Sequence, residues 1–211
     1  RQAERLDQID TAANHLLAII SDILDLAKIE AGKVVIDEAP VMVASLLGNV
    51  RSIMIDRAQV KGLRLNVETA DWPSALRGDP TRLQQALLNY VANAVKFTES
   101  GSITVRARLQ GETASSLCIR FEVEDAGIGI PPEALDRIAV RYFKVGDQPT
   151  GSGLGLAISR ELIELHGGKL RIESPVPGTD HGTLVSVTLP LAAPPRALAV
   201  SADDTLQDQI G

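Results

Sequence analysis

At 211 residues the chain is long enough for one domain of average size with a smaller element beside it. Apolar residues make up 45% and charged residues 23%, the balance of a globular chain, and no apolar run approaches the roughly 18 residues of a membrane span. The net charge of −6 argues against nucleic acid or an anionic membrane surface as partner, and the one cysteine, Cys118, excludes a disulfide framework and fits a reducing, cytoplasmic setting. A membrane anchor upstream of this segment is compatible with all three.

The opening segment reads as a helix ordered by heptads. Leu6, Ile9, Ala13, Leu16, Ile20, Ile23 and Ala27 step by three and four along an a/d seam, and Leu17 and Leu24 widen it as a helix in a four-helix bundle requires. Gly32 ends it, with Lys28 and Lys33 where cations suit the helix dipole. This periodicity predicts a self-associating helix. Residues 34–42, VVIDEAPVM, read as a short strand and connector, followed by a helix from Val43 to Gln59 and an alternating strand at Leu63–Glu68. Pro80 opens a helix over 80–97, since proline suits the first helical position. Strands at 102–110 and 117–124 flank the turn-rich GETASS, a helix follows at 154–166, and strands at 169–174 and 183–190 are joined by PVPGTDHG. The expected fold is a two-layer α/β sandwich, a mixed sheet with helices on one face. Past Leu191 the composition shifts: AAPP reads as a linker, and RALAVSADD as a tail or as a strand ending in paired acids.

Three segments carry chemistry. In DAGIGIPP, at 125–132, the Asp125 carboxylate accepts a hydrogen bond from an exocyclic amino group such as that of adenine, and Gly127 and Gly129 let backbone approach a flat base; an Asp-Gly turn after a strand is the plainer account. In LLNYVANAVKFTE, Asn89 and Asn93 lie four apart on one helix face, where neutral amide oxygens suit Mg²⁺ beside a triphosphate; hydrogen bonding to a neighbouring loop is the alternative. Lys96, one turn on, reaches a phosphate as a point charge or stands in solvent. In GSGLGLAIS, Gly151, Gly153, Leu154 and Gly155 feed a helix N-terminus, whose N–H groups and dipole suit phosphate. The spacing is neither a P-loop nor a dinucleotide fingerprint.

In chain order, LLNYVANAVKFTE, DAGIGIPP and GSGLGLAIS resemble the N box, first glycine box and second glycine box of the ATP-binding domain of two-component sensor histidine kinases, in the GHKL ATPase superfamily. The resemblance runs from about residue 12 to about 191, and LLAIISDILDLAKIEAGK looks like the second helix of the kinase dimerisation domain. It implies a Bergerat-type ATP-binding fold over 34–191, a dimerisation helix over 1–33, and a linker or the start of a receiver domain over 192–211. It implies ATP and Mg²⁺ as cofactors, with Asn93 the firmer metal ligand and Asn89 supporting it, Thr183 near the adenine pocket, and Phe97 packed in the core. A homodimer and a response-regulator receiver are the implied partners. The implied reaction is transfer of the ATP γ-phosphoryl group to a histidine and thence to a receiver aspartate.

Two departures stand out. Where the F box usually reads Phe-Glu-Pro-Phe, this chain has Val140, Arg141, Tyr142 and Phe143, followed by a short lid over 144–150; Arg141 and Lys144 offer charge to the phosphates or stand as solvated cations. The phosphoacceptor histidine motif is missing, because none of His15, His166 and His181 is followed by the expected acidic residue. The chain is therefore expected to bind Mg–ATP without autophosphorylating. The alternatives are a dimeric scaffold or phosphotransfer protein with an impaired ATP site, and an ATP-driven clamp of the gyrase or chaperone type. The clamp enzymes place a glutamate base where Asn89 stands, and an amide takes no proton.

Overall fold

The protein is described from a computed structural model covering residues 2–70, 72, 76–143 and 153–193; within the first helix, side chains are described at 13, 16, 17 and from 19 onward. Its elements in chain order are α1 (Gln2–Glu30), β1 (Ala39–Pro40), α2 (Val43–Val60), β2 (Arg64–Glu68), β3 (Arg77–Gly78), α3 (Pro80–Phe97), β4 (Ser102–Glu112), β5 (Ser116–Asp125), α4 (Pro132–Leu135), α5 (Gly155–Leu165), β6 (Lys169–Glu173) and β7 (Thr183–Ala192). Strands β1-β3-β7-β5-β4-β2 follow one another across a mixed sheet, with β6 antiparallel on β7 and β2 parallel to β4.

Helices α2, α3 and α5 cover one face. Their buried side chains, among them Leu47 and Val50 of α2, Leu83, Leu87 and Val91 of α3, and Ile163 of α5, meet Ile103, Ile119, Phe121 and Leu189 of the sheet in one core. The strands show why they sit so: burial alternates along β4 from Ser102 to Ala107, leaving every second residue for the open face. There Glu122, 7% exposed, is bracketed by Arg106, Arg108 and Arg120. Helix α3 starts where the sequence says it should. Asp79 Oδ1 accepts from the Arg82 N–H at 3.0 Å, and Pro80 takes the first helical position. Its C-terminus is held by Lys61, whose Nζ donates to the carbonyls of Val95, Lys96 and Thr98 at 2.7, 3.0 and 2.9 Å.

Helix α1 has two apolar sides. The seam side is exposed at Leu16, Leu17, Ile20, Ile23 and Leu24, 44–63% in each case. The other side buries Leu26 against Leu154, Ile158 and Leu162, joined by Ile29 and Val34. Asp25 pairs with Arg82 and accepts from Gln85 Nε2 at 2.7 Å, tying α1 to α3.

Several boundaries differ from expectation. The strand expected over 34–42 shrinks to Ala39–Pro40, because the segment is held by side chains: the Asp37 N–H donates to Asp79 and Arg77 Nη2 to the Glu38 carbonyl. Its pairing strand β3 and the short α4 went unread, being 2 and 4 residues long with no periodicity to show. Strand β7 runs two residues past 190, and Ala193 still packs on the core. The proposed receiver-like segment, RALAVSADD, lies outside the described residues.

Candidate nucleotide site

Between α3, α5 and the β5 and β7 ends lies a cavity of about 880 Å³, a volume that suits a small-molecule ligand. Its walls are apolar at Ile128, Ile130, Ile138, Phe143, Leu156 and Ile172, with polar groups gathered at two ends.

One end is built on Asp125, the last residue of β5, opposite Thr183 at the start of β7. Asp125 Oδ1 accepts from the Gly127 N–H at 2.8 Å, and the Thr183 N–H also donates to the carboxylate. Burial pushes the Asp125 pKa up, these two backbone bonds pull it down, and the neighbouring Glu124 charge adds to the rise. The glycines here are tight. A Cβ on Gly127 would lie 2.6 Å from the Phe97 carbonyl oxygen, and one on Gly182 would lie 2.2 Å from the Asp125 carbonyl oxygen. Gly129, with φ of 74°, lies under Ser174, whose Oγ accepts from the Ile130 N–H at 2.7 Å and donates to the Gly182 carbonyl at 2.8 Å. Ser174 therefore staples the loop after β5 to the loop before β7.

The other end is the polar face of α3. Asn89, Asn93 and Lys96 follow at steps of four and three, and all three line the cavity. Asn89 Nδ2 donates to Ser159 Oγ at 2.8 Å, and Asn93 Nδ2 approaches Asn89 Oδ1 at 3.4 Å. No hydrogen bond reaches Asn93 Oδ1 from the described residues. Lys96 Nζ stands 4.7 Å from the centre of the Phe97 ring. Gly153 and the first residue of α5, Gly155, line the cavity with them, Gly155 lying directly against the Asn89 carboxamide.

The structure thus brings Asn89, Asn93, Lys96, Asp125, Gly129, Gly153, Gly155 and Thr183 to one cavity. Two predicted residues act from behind it. Gly127 lines no part of it, and contributes its N–H to Asp125 and its missing Cβ to the fit against α3. Leu154 lines no part of it either: its side chain, 2% exposed, packs into the apolar cluster with Leu26, Ile158 and Leu162 and anchors α5. Gly151, Lys144 and the rest of the segment over 144–152 lie outside the described residues. Arg141 is engaged elsewhere, paired with Glu161 at 2.6 Å and with Glu30 of α1. Phe97, expected in the core, is half-buried and faces the cavity.

Sequence reasoning missed Ser159, Ser174, His181 and the α1 residues Ile19 and Asp22, all of which line the cavity. Ser159 had a signal, a polar residue in the apolar run GLAISRELIEL four after Gly155. His181, hydrogen-bonded through Nδ1 to Asp180 at 2.8 Å, had none beyond its loop.

Comparison with known proteins gives the family. Residues 78–193 match the family described as histidine kinase-, DNA gyrase B- and HSP90-like ATPase. The sensor protein GacS of Pseudomonas syringae pv. syringae is 42% identical over 91% of this chain and 22% of its own length. The aerobic respiration control sensor protein ArcB of Escherichia coli K12 is 39% identical over 98% of this chain and 26% of its own length. The chain thus spans about a quarter of the curated relatives it matches. Among solved structures, full-length ShkA in complex with AMPPNP superposes with a TM-score of 0.77 at 31% identity, covering 92% of this chain and 40% of that one. The mycobacterial sensor histidine kinase MprB gives 0.61 at 28% identity, covering 75% of this chain and all of that one. The chain belongs to the histidine kinase-, DNA gyrase B- and HSP90-like ATPase family, as an ATP-binding domain of the sensor histidine kinase type.

Proposed function

We propose that this domain binds Mg–ATP in the cavity and presents the γ-phosphoryl group to a histidine outside these residues, from which a receiver aspartate takes it. The observation that carries the reading is that the Asp125 carboxylate and the Asn89, Asn93 and Lys96 side chains line one cavity. Asp125, oriented by Gly127 and Thr183, accepts from the adenine amino group, while Gly129 lets the base approach backbone. Asn93 and Asn89 offer amide oxygens to the metal, and Lys96 with the backbone of Gly153 and Gly155 meets the phosphates. The donor chemistry fits magnesium: Asn89 and Asn93 line the cavity with neutral amides, which leave the negative charge to the triphosphate. A bound Mg²⁺ neutralises charge on the phosphates, which phosphoryl transfer needs more than protein covalency. The nucleotide analogue held by ShkA is consistent with this assignment.

The division into a dimerisation helix over 1–33, the ATP-binding domain over 34–191 and a following linker or receiver start is part of the same reading. The exposed stripe on α1 supports homodimerisation through that helix. No helix among the described residues is long and apolar enough to cross a membrane. The scaffold alternative is disfavoured because Asp125 and both asparagines reach an open cavity. The test is nucleotide choice combined with labelling. ATP and ADP should bind and GTP should not, because guanine offers Asp125 an oxo group where adenine offers an amine. Incubation with γ-labelled ATP should leave no acid-labile phosphate on this chain, and GTP binding as tightly as ATP would refute the adenine assignment.

A further inference from the structure

Helix α5 carries one polar side chain among its buried positions, which are Ala157, Ile158, Ser159, Leu162 and Ile163. Ser159 is 1% exposed, and a hydroxyl so placed is costly unless it is paired. It meets two residues of α3: Asn89 Nδ2 donates to Ser159 Oγ at 2.8 Å, and the buried Tyr90 hydroxyl also stands beside it. The same carboxamide lies against Gly155, one turn earlier on α5, where a Cβ would come within 2.7 Å of Nδ2 and 2.8 Å of Oδ1. Gly155 and Ser159 are four residues apart and share a helix face, so the two make a slot for this one amide.

In this slot Nδ2 faces Ser159 Oγ and Oδ1 faces Asn93 Nδ2. A carboxamide's oxygen and nitrogen ends are nearly the same shape, but only the oxygen attracts a cation. With Nδ2 taken by Ser159, Oδ1 is left on the side of Asn93, whose Nδ2 lies 3.4 Å away. Without the hydroxyl at 159 the amide loses the partner of its observed orientation, and a half-turn would present NH₂ toward the phosphate end.

We propose that Ser159 is a positioning residue for the metal-bearing end of the nucleotide, accepting from Asn89 Nδ2 and so holding Asn89 Oδ1 toward the cation that accompanies the triphosphate. The proposal rests on the reading of Asn89 as a metal-side ligand. It assigns to α5 a role that the glycine box before it does not contain.

The experiment measures affinity of the 211-residue chain for ATP with Mg²⁺, for ATP in EDTA, and for adenosine, in the parent, Ser159→Ala, Asn89→Ala and the double variant. Loss of one buried hydrogen bond predicts Mg–ATP binding weakened roughly five- to tenfold by Ser159→Ala. Adenosine and metal-free ATP should bind as in the parent, and Ser159→Ala should add nothing in the Asn89→Ala background. Three results would overturn the role: an intact Mg²⁺ gain in Ser159→Ala, an equal loss for adenosine, or additive losses in the double variant. A parent chain whose affinity is indifferent to Mg²⁺ would instead remove the metal reading itself, and this proposal with it. Should Ser159→Ala fail to bind adenosine through misfolding, Ser159→Cys keeps the volume with a weak acceptor and repeats the comparison with the same expected loss.

Discussion

Gly182→Ala and Gly178→Ala form a matched pair, because both glycines lie in the loop between β6 and β7 with φ in the left-handed region, at 79° and 87°. An alanine pays for that backbone conformation at either site, about 1–2 kcal/mol. The sites differ in what the new Cβ meets. At Gly178 nothing lies within 4 Å, whereas at Gly182 the Asp125 carbonyl oxygen is 2.2 Å away and Val176 Cγ2 is 3.2 Å away. Relaxation there is opposed from two sides, since the Gly182 N–H donates to the Gly127 carbonyl at 3.0 Å and its carbonyl accepts from Ser174. Relieving such an overlap costs about 1–3 kcal/mol. The expected losses are therefore about 1–2 kcal/mol for Gly178→Ala and about 2–5 kcal/mol for Gly182→Ala. Urea unfolding of both variants measures them, and nucleotide affinity should fall only for Gly182→Ala, whose clash displaces Asp125. Equal destabilisation of the two would refute the packing argument.

Asp125 gives a signed pH prediction. Its folded pKa is raised above the ordinary 3.8, so its stabilising contribution is complete below 3.8 and is lost as pH rises through the folded value. Without nucleotide, the stability of the parent relative to Asp125→Asn should fall as pH rises from about 4 to 7; a flat or rising difference contradicts it. Lys61→Ala removes three hydrogen bonds from the C-terminal carbonyls of α3 and should cost about 1–2 kcal/mol, read by thermal unfolding. An unchanged melting temperature would show that water replaces the lysine. Arg141→Ala should free α1, because Arg141 bridges Glu30 of α1 to Glu161 of α5. Hydrogen exchange over residues 19–30 should speed up in the variant, and in the parent at high salt, since exposed ion pairs are screened.

The elements with a repeating pattern were legible. Helix α3 was bounded correctly at both ends because Pro80 marks its start and its apolar spacing runs unbroken to Val95. Strands β4 and β5 announced themselves by alternation. The short β1, β3 and α4 were not, because two to four residues carry no period and their geometry is set by tertiary partners such as Asp79. In the site, the residues singled out by their own chemistry, Asp125, the two asparagines, Gly129, Gly153 and Gly155, do line one cavity. The direction of the Leu154 side chain was not legible, since adjacency to Gly153 and Gly155 says nothing about it and burial against Leu26 decides it. Ser174 and Ser159 were unreadable as partners because each bonds a residue far away in sequence, Ile130 and Asn89 respectively.

The most direct measurement is calorimetric titration of ATP into the chain in the presence of Mg²⁺, alongside Asp125→Ala. The account predicts saturable binding at one site in the parent and none in the variant. Binding that survives Asp125→Ala unchanged, or a parent that takes up no ATP, would contradict the assignment of the cavity to the nucleotide.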